Sequence, residues 1–217
     1  MRTFTISIIT LFSISCANFD TSNIAPGYRD AFSSVKNYLL SPEDNISVEL
    51  IENIPYASAK LRIGRGPSGL IILESIREDK YNWISADGVI ITTDVYGKII
   101  GTEGLDNNLL DIESSLDSLN DINFQAKYTC FYTFYPPRLN LLPVDIFYQA
   151  KQQKLVGLIK GPTQLTLIQE KITSSIIGWK EINKYWIDDK GFIWKSEQNI
   201  SPKLPTFYLE ITKKPAT

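Results

Sequence analysis

Tyr56-Ala57-Ser58-Ala59-Lys60-Leu61-Arg62-Ile63 is the stretch that decides the fold class. Ala57, Ala59, Leu61 and Ile63 fall on one side of an extended chain, and Tyr56, Ser58, Lys60 and Arg62 fall on the other. A period of two is the period of a strand, and one apolar face against one polar face is the pattern of an antiparallel sheet that is wet on one side.

The same alternation runs from Ile122 to Phe134. Ile122, Phe124, Ala126, Tyr128, Cys130, Tyr132 and Phe134 share a face opposite Asn123, Gln125, Lys127, Thr129 and Thr133. Shorter strand-like runs are Leu70–Ile76, Tyr81–Ser85, Val89–Thr93 and Lys98–Thr102, then Asp145–Lys151, Leu155–Lys160, Gln164–Ile172, Ile193–Ser196 and Phe207–Thr212. Period-two character sets in from Ile46, and Gly, Asp and Pro punctuate the runs. These features predict an all-β, mainly antiparallel body: a meandering curved sheet, barrel-like or sandwich-like.

Two helices are predicted beside it. Tyr28, Phe32, Val35 and Leu39 recur at spacings of 4, 3 and 4, which places them on one helical face ahead of Pro42. Leu109, Ile112, Leu116 and Leu119 recur at 3, 4 and 3, which predicts a short helical insert over Asn108–Leu119.

Ahead of this body lies a leader. Met1-Arg2 supplies positive charge, Phe4 to Ile14 is an apolar run broken only by Ser and Thr, and Ser13-Ile14-Ser15-Cys16 has the small-residue character of a bacterial lipobox, with Ser13 where Leu is usual. The run is too short to cross a bilayer, which takes roughly 20 apolar residues. Acylation of Cys16 would anchor the chain, because each buried CH₂ contributes about 0.8 kcal/mol and more than one acyl chain makes the attachment stable; ordinary signal cleavage near Ser15 or Ala17, with Cys16 a bystander, is the alternative. The expected organisation is a signal peptide over 1–15, a lipidated tether over 16–26 and a single β-rich domain over 27–217. Ala17-Asn18 follows Cys16, without the Asp directly after the cysteine that retains such proteins at the inner membrane, so the periplasmic face of the outer membrane is the expected location.

Composition narrows the function. Removing the leader with Arg2 leaves 21 basic and 24 acidic side chains, a net charge of −3 without a basic stripe, which argues against a nucleic-acid partner. There is no histidine, so Ser-His-Asp and Cys-His nucleophile arrangements are excluded, and a metal site would have to be all-carboxylate or contain one cysteine; neither a metal nor a cofactor is expected. With Cys16 lipidated, Cys130 has no disulfide partner, and its place on an apolar strand face predicts burial.

Paired carboxylates remain possible, since glycoside cleavage needs only two. The candidates are Glu74, Asp87, Asp94, Glu103, Asp188 and Asp189; Asp94, Asp188 and Asp189 stand in Gly-containing turns, where short polar side chains belong. The loop Gly64-Arg65-Gly66-Pro67-Ser68-Gly69 joins two strands, so its glycines serve a hairpin and not a phosphate cradle. Arg65 at its tip is a candidate partner contact. Trp83, Trp179, Trp186 and Trp194 suit a core, while exposed Trp rings would stack sugars.

Several segments together resemble one family. Ile54-Pro55-Tyr56-Ala57-Ser58, Leu61-Arg62-Ile63-Gly64-Arg65-Gly66-Pro67, Trp83-Ile84-Ser85-Ala86-Asp87 and Gly104-Leu105-Asp106-Asn107-Asn108-Leu109-Leu110 are similar to the YjbF/GfcB family of exopolysaccharide and group 4 capsule lipoproteins. Asn183-Lys184-Tyr185-Trp186-Ile187-Asp188, Gly191, Trp194-Lys195-Ser196 and Ser201-Pro202-Lys203-Leu204-Pro205 resemble its closing pattern. Ser13 and the polar insert near Asp111–Asp121 depart from it.

The resemblance implies an outer-membrane-anchored periplasmic β protein without enzymatic activity. It would work beside polysaccharide-export components, including an outer-membrane β-barrel, and would contact partners or glycan through residues such as Arg65, Trp83, Asp87 and Trp186. Two alternatives stay open at this point: a carrier of lipid or lipoprotein with a deep apolar concavity, and a glycan-cleaving enzyme with two carboxylates in one groove.

Overall fold

The computed structural model describes residues 46–114 and 126–215. The leader, the tether, the helix expected over Tyr28–Leu39 and the start of the run at Ile122 lie outside the described residues. One helix, α1 (Val48–Asn53), precedes strands β1 (Ser58–Ile63), β2 (Ser68–Arg77), β3 (Lys80–Ser85), β4 (Ile90–Asp94), β5 (Ile99–Glu103) and β6 (Asn108–Glu113). They are followed by β7 (Lys127–Tyr135), β8 (Leu139–Leu158), β9 (Gly161–Ser174), β10 (Trp179–Ile187), β11 (Ile193–Gln198) and β12 (Phe207–Lys213).

All twelve described strands form one antiparallel sheet in the order β5-β4-β3-β2-β1-β12-β11-β10-β9-β8-β7-β6. Each strand therefore ladders with its chain neighbours, β12 returns to β1, and the ring stays open only between β5 and β6. The result is a nearly closed barrel, as the alternating runs predicted. Closure through β1 and β12 is in register along most of β1, from Ala59↔Ile211 to Ile63↔Phe207. At the open seam a side chain substitutes for the ladder: the Leu109 N–H donates to Thr102 Oγ1 at 2.9 Å.

The inward faces fill the barrel. Trp83, Phe134, Tyr148, Tyr185 and Phe207 are all buried there, together with Cys130, the one described free cysteine. Burying one large apolar side chain contributes roughly 1.5–3 kcal/mol, so this interior dominates the stability of the domain. Two smaller apolar layers lie outside the ring. Leu70, Ile72 and Ile84 are covered by Ile54 and Leu50 of the α1 segment. Val156, Leu165 and Trp186 pack under the far half of the β8–β9 hairpin, which is pinned back by a 2.6 Å bond from the Ile159 N–H to Glu210 Oε1.

Four expectations need correction. The helical insert over Asn108–Leu119 is not formed at its start, where Asn108–Glu113 is β6 paired to β7. The register shifts between Leu109 and Asp111, so a bulge at Leu110 inserts an extra residue. Leu109 and Ile112 then face the core three residues apart, which imitates a helical spacing. Residues 115–119 lie outside the described residues.

The period-two reading from Ile46 fails because Val48–Asn53 is helical, with Ser47 as N-cap accepting from the Leu50 N–H at 3.2 Å. Asp145–Lys151 and the expected run from Leu155 fall in a single strand, β8, which ends at Leu158 with Ile159 and Lys160 in the turn to β9, and its alternation is interrupted by a register shift between Ala150 and Gln153. β10 was not among the expected strand runs, because Ile182 points outward and Asn183 inward, reversing the usual polarity.

Candidate functional site

Inside the barrel, the reversal at Asn183 has a cause. Tyr148, Glu170 and Asn183 stand directly opposite one another on β8, β9 and β10. Glu170 is fully buried, and each of its oxygens is doubly bonded. Oε1 accepts from Lys98 Nζ and from the Tyr148 hydroxyl, both at 2.6 Å. Oε2 accepts from Asn183 Nδ2 and the Tyr185 hydroxyl, both at 2.7 Å.

Burial alone would push the Glu170 carboxyl up, but the Lys98 ammonium and the bonds from Lys98, Tyr148 and Tyr185 outweigh it and hold the group below the ordinary carboxylate range. Burial works against the Lys98 charge, and Glu170 overcomes that to keep Lys98 well above its usual value. Tyr148 and Tyr185 are pushed up by burial first and by the Glu170 charge second, so both remain protonated donors.

A carboxylate with every acceptor position filled and no solvent access has nothing left to offer a substrate. Its role is to tie the β4–β5 turn, which carries Lys98, to the inner wall of β8–β10. Glu170 was missed in the sequence, although a charged residue on the same strand parity as Ile168 and Ile172 was its visible signal.

The expected contact residues are scattered. Trp83 is in the core, with its indole N–H donated to Thr93 Oγ1 at 3.0 Å, so its ring is not presented at the surface. Trp186 lies under the β8–β9 hairpin, and its N–H meets no acceptor among the described residues. Arg65 and Asp87 are exposed in the β1–β2 and β3–β4 turns, which emerge at the same end of the antiparallel barrel. The turn carboxylates behave as their context implied: Asp94 Oδ1 accepts from the Tyr96, Gly97 and Lys98 N–H groups, and Asp188 Oδ1 accepts from Lys190 and Phe192.

Glu74 and Glu103, by contrast, come together. Both line a groove of about 640 Å³ on the outer surface beside the β5–β6 seam. Its floor is a cross-strand row in register, Ser75↔Asn82↔Thr92↔Gly101, spanning β2 to β5. Asn82 Nδ2 donates to Ser75 Oγ at 3.1 Å and Thr92 Oγ1 donates to Asn82 Oδ1 at 2.9 Å.

Gly101 keeps the floor low, since a Cβ there would sit 3.3 Å from Thr92 Cβ. A bulge in β2 brings Glu74 into the lining beside Ser75, and the bulge in β6 turns Leu110 outward to 53% exposure. Tyr135, 54% exposed, forms the opposite rim. A second hollow of about 340 Å³ shares Arg77, Asn82, Thr92, Gly101 and Leu110 with the first and extends the groove to Lys80 and Asp111. No cluster of metal-ligating side chains occurs among the described residues.

Comparison with known proteins gives this architecture a context. The chain is 28% identical over 116 residues to the lipoprotein GfcB of Escherichia coli (strain K12), a match covering 53% of this chain and 50% of that one, so the aligned part spans about half the length of that relative. It is 24% identical over 165 residues to the lipoprotein YjbF of the same strain, covering 73% of this chain and 76% of that one. Among solved structures, the crystal structure of the lipoprotein YmcC from Escherichia coli superposes with a TM-score of 0.70 at 18% identity, over 86% of this chain and 96% of the other, which shows a shared fold. The family model described as "Group 4 capsule polysaccharide lipoprotein gfcB, YjbF" matches residues 12–213, from ahead of Cys16 to the last residue of β12. The chain belongs to the YjbF/GfcB family of group 4 capsule polysaccharide lipoproteins.

Proposed function

We propose that this protein is a non-enzymatic accessory lipoprotein of capsule or exopolysaccharide assembly and export, held by acylated Cys16 at the periplasmic face of the outer membrane. There it docks to export components, an outer-membrane β-barrel among them, and contacts the polysaccharide. The observation that carries this reading is the family match, which spans the whole β body and begins upstream of Ser13-Ile14-Ser15-Cys16.

The barrel interior favours it over a lipid carrier, because among the described residues the inner faces meet in packed aromatic and aliphatic side chains. A deletion strain tests the proposal. Loss of surface polysaccharide, restored by the wild-type gene and not by a Cys16→Ser variant, is the expected result; normal display without the gene refutes it.

One observation supports a second reading. Glu74 and Glu103 line the same groove, and a carboxylate-based glycan-cleaving enzyme needs two carboxylates facing one cleft. Release of new reducing ends from the strain's own polysaccharide, abolished in Glu74→Gln or Glu103→Gln, would establish it.

A further inference from the structure

We infer that the groove along the β5–β6 seam is the surface that contacts polysaccharide, and that it takes a short run of predominantly uncharged sugar rings. This deepens the proposed accessory role and rests on it for the ligand class.

The lining has the chemistry that sugars need. Hydroxyl-rich rings are held by side chains that both donate and accept, and Ser75, Asn82 and Thr92 supply such groups along one surface, while the Asn108 amide, also in the lining, is bonded at both ends to the Leu105 backbone. The bonds of Asn82 to Ser75 and Thr92 fix the amide orientation while using one of its two amide hydrogens. Tyr135 and Leu110, each more than half exposed, offer apolar area on which the C–H face of a pyranose ring rests.

The charges bear on the kind of polymer. Arg77 and Lys80 are outnumbered by Glu74, Glu78, Glu103 and Asp111 along the groove, so a polyanion would be repelled on balance. The row from Ile90 to Asp94 that flanks it extends about 13 Å at a strand rise of about 3.3 Å per residue, a length suited to a few rings and not to a long chain.

An extended peptide laid along the seam is the competing occupant. The seam argues against it, because backbone donors that an added strand would use are already engaged. The Leu109 N–H goes to Thr102 Oγ1 at 2.9 Å, and the Ile99 N–H goes to Gln198 Oε1 at 3.0 Å.

The test uses the full mature chain and short oligosaccharides released by partial hydrolysis from the producing strain's own surface polysaccharide, with binding followed by isothermal titration and amide chemical shifts. The expected result is saturable binding that changes little with salt, with shifts at Asn82, Thr92 and Gly101. A Tyr135→Ala/Leu110→Ala variant should bind at least about tenfold more weakly, which corresponds to about 1.4 kcal/mol. Tyr135→Phe, which keeps the ring, should stay within about threefold of wild type.

Both variants alter exposed positions, and an unchanged melting temperature verifies their fold. Absence of binding by the wild type, or wild-type affinity in the double variant, overturns the assignment. Complementation separates the two levels of inference. If a deletion strain displays polysaccharide normally, the accessory role falls. If display is lost and the double variant restores it fully, the role stands and the groove assignment falls.

Discussion

Replacing Lys98 by Met is the sharpest perturbation of this fold. The ammonium is 2.6 Å from Glu170 Oε1, with side-chain exposures of 15% for Lys98 and 0% for Glu170. Methionine fills much of the same volume but leaves a carboxylate with three neutral donors and no counter-charge. Removing one partner of a buried ion pair costs about 3–5 kcal/mol, because the remaining charge is uncompensated. Against a total stability of about 5–15 kcal/mol for a folded domain, that is a large fraction. With a urea slope near 2 kcal/mol/M, the unfolding midpoint should fall by about 2 M.

The pH dependence should reverse as well. In the native protein the Glu170 carboxyl is held below its ordinary value, so its stabilising contribution is fully present above the unfolded value and is lost as pH falls through the folded one. Without Lys98, burial dominates and raises the carboxyl in the folded state. Protonation then relieves the buried charge, and acidification from neutral pH should restore part of the lost stability. Urea titrations at a series of pH values read both effects. A loss under about 1 kcal/mol, or a pH slope unchanged in sign, would refute the claim that this pair is a desolvated and mutually dependent unit. Glu170→Gln should be milder, since the partly exposed Lys98 can turn its head towards water.

Other consequences are simpler to state. Trp83→Ala removes the largest fully buried ring and orphans the Thr93 contact, so calorimetry should register a loss of about 3–5 kcal/mol. Thr102→Val leaves the buried Leu109 N–H without its acceptor at the seam; chemical denaturation should show a loss of about 1–3 kcal/mol, and faster amide exchange at Leu109 would localise it. Burial pushes the Cys130 thiol up, so in a Cys16→Ser background a soluble thiol reagent should modify the chain slowly when folded and rapidly in denaturant; equal rates would contradict its position.

What the sequence made legible, and what it hid, follows from parity. Where inward residues are apolar, as in β1 and in β7 at Cys130, Tyr132 and Phe134, alternation alone located the strand and its buried face. Where an inward position is polar because it serves Glu170, as at Asn183, alternation inverted and β10 disappeared from view. Bulges hid more, since an extra residue at Leu110 converted a strand into an apparent helix and the one near Ala150 split β8 in two. The carboxylates Glu74 and Glu103 were visible as residues but not as neighbours. Only the pairing of β2 through β5 brings their strands together, and pairing partners are set by tertiary closure, which no local period encodes.

The groove itself is a product of those same irregularities. A regular barrel would ladder β5 to β6, consecutive strands joined by the short loop Gly104–Asn107, and would have no groove there. Instead the chain places a bulge at Glu74 on one side, a bulge at Leu110 on the other and a side-chain-free position at Gly101 between them. Thr102 closes the seam with a hydroxyl in place of a ladder. Each departure weakens a local rule of sheet formation, and bulges concentrate where a side chain must be re-aimed. Their convergence on one surface, lined by amides, hydroxyls and an exposed tyrosine, is hard to reconcile with a requirement for stability alone. Behind it, the Lys98–Glu170 pair ties the β4–β5 turn of that surface to the inner wall of β8–β10.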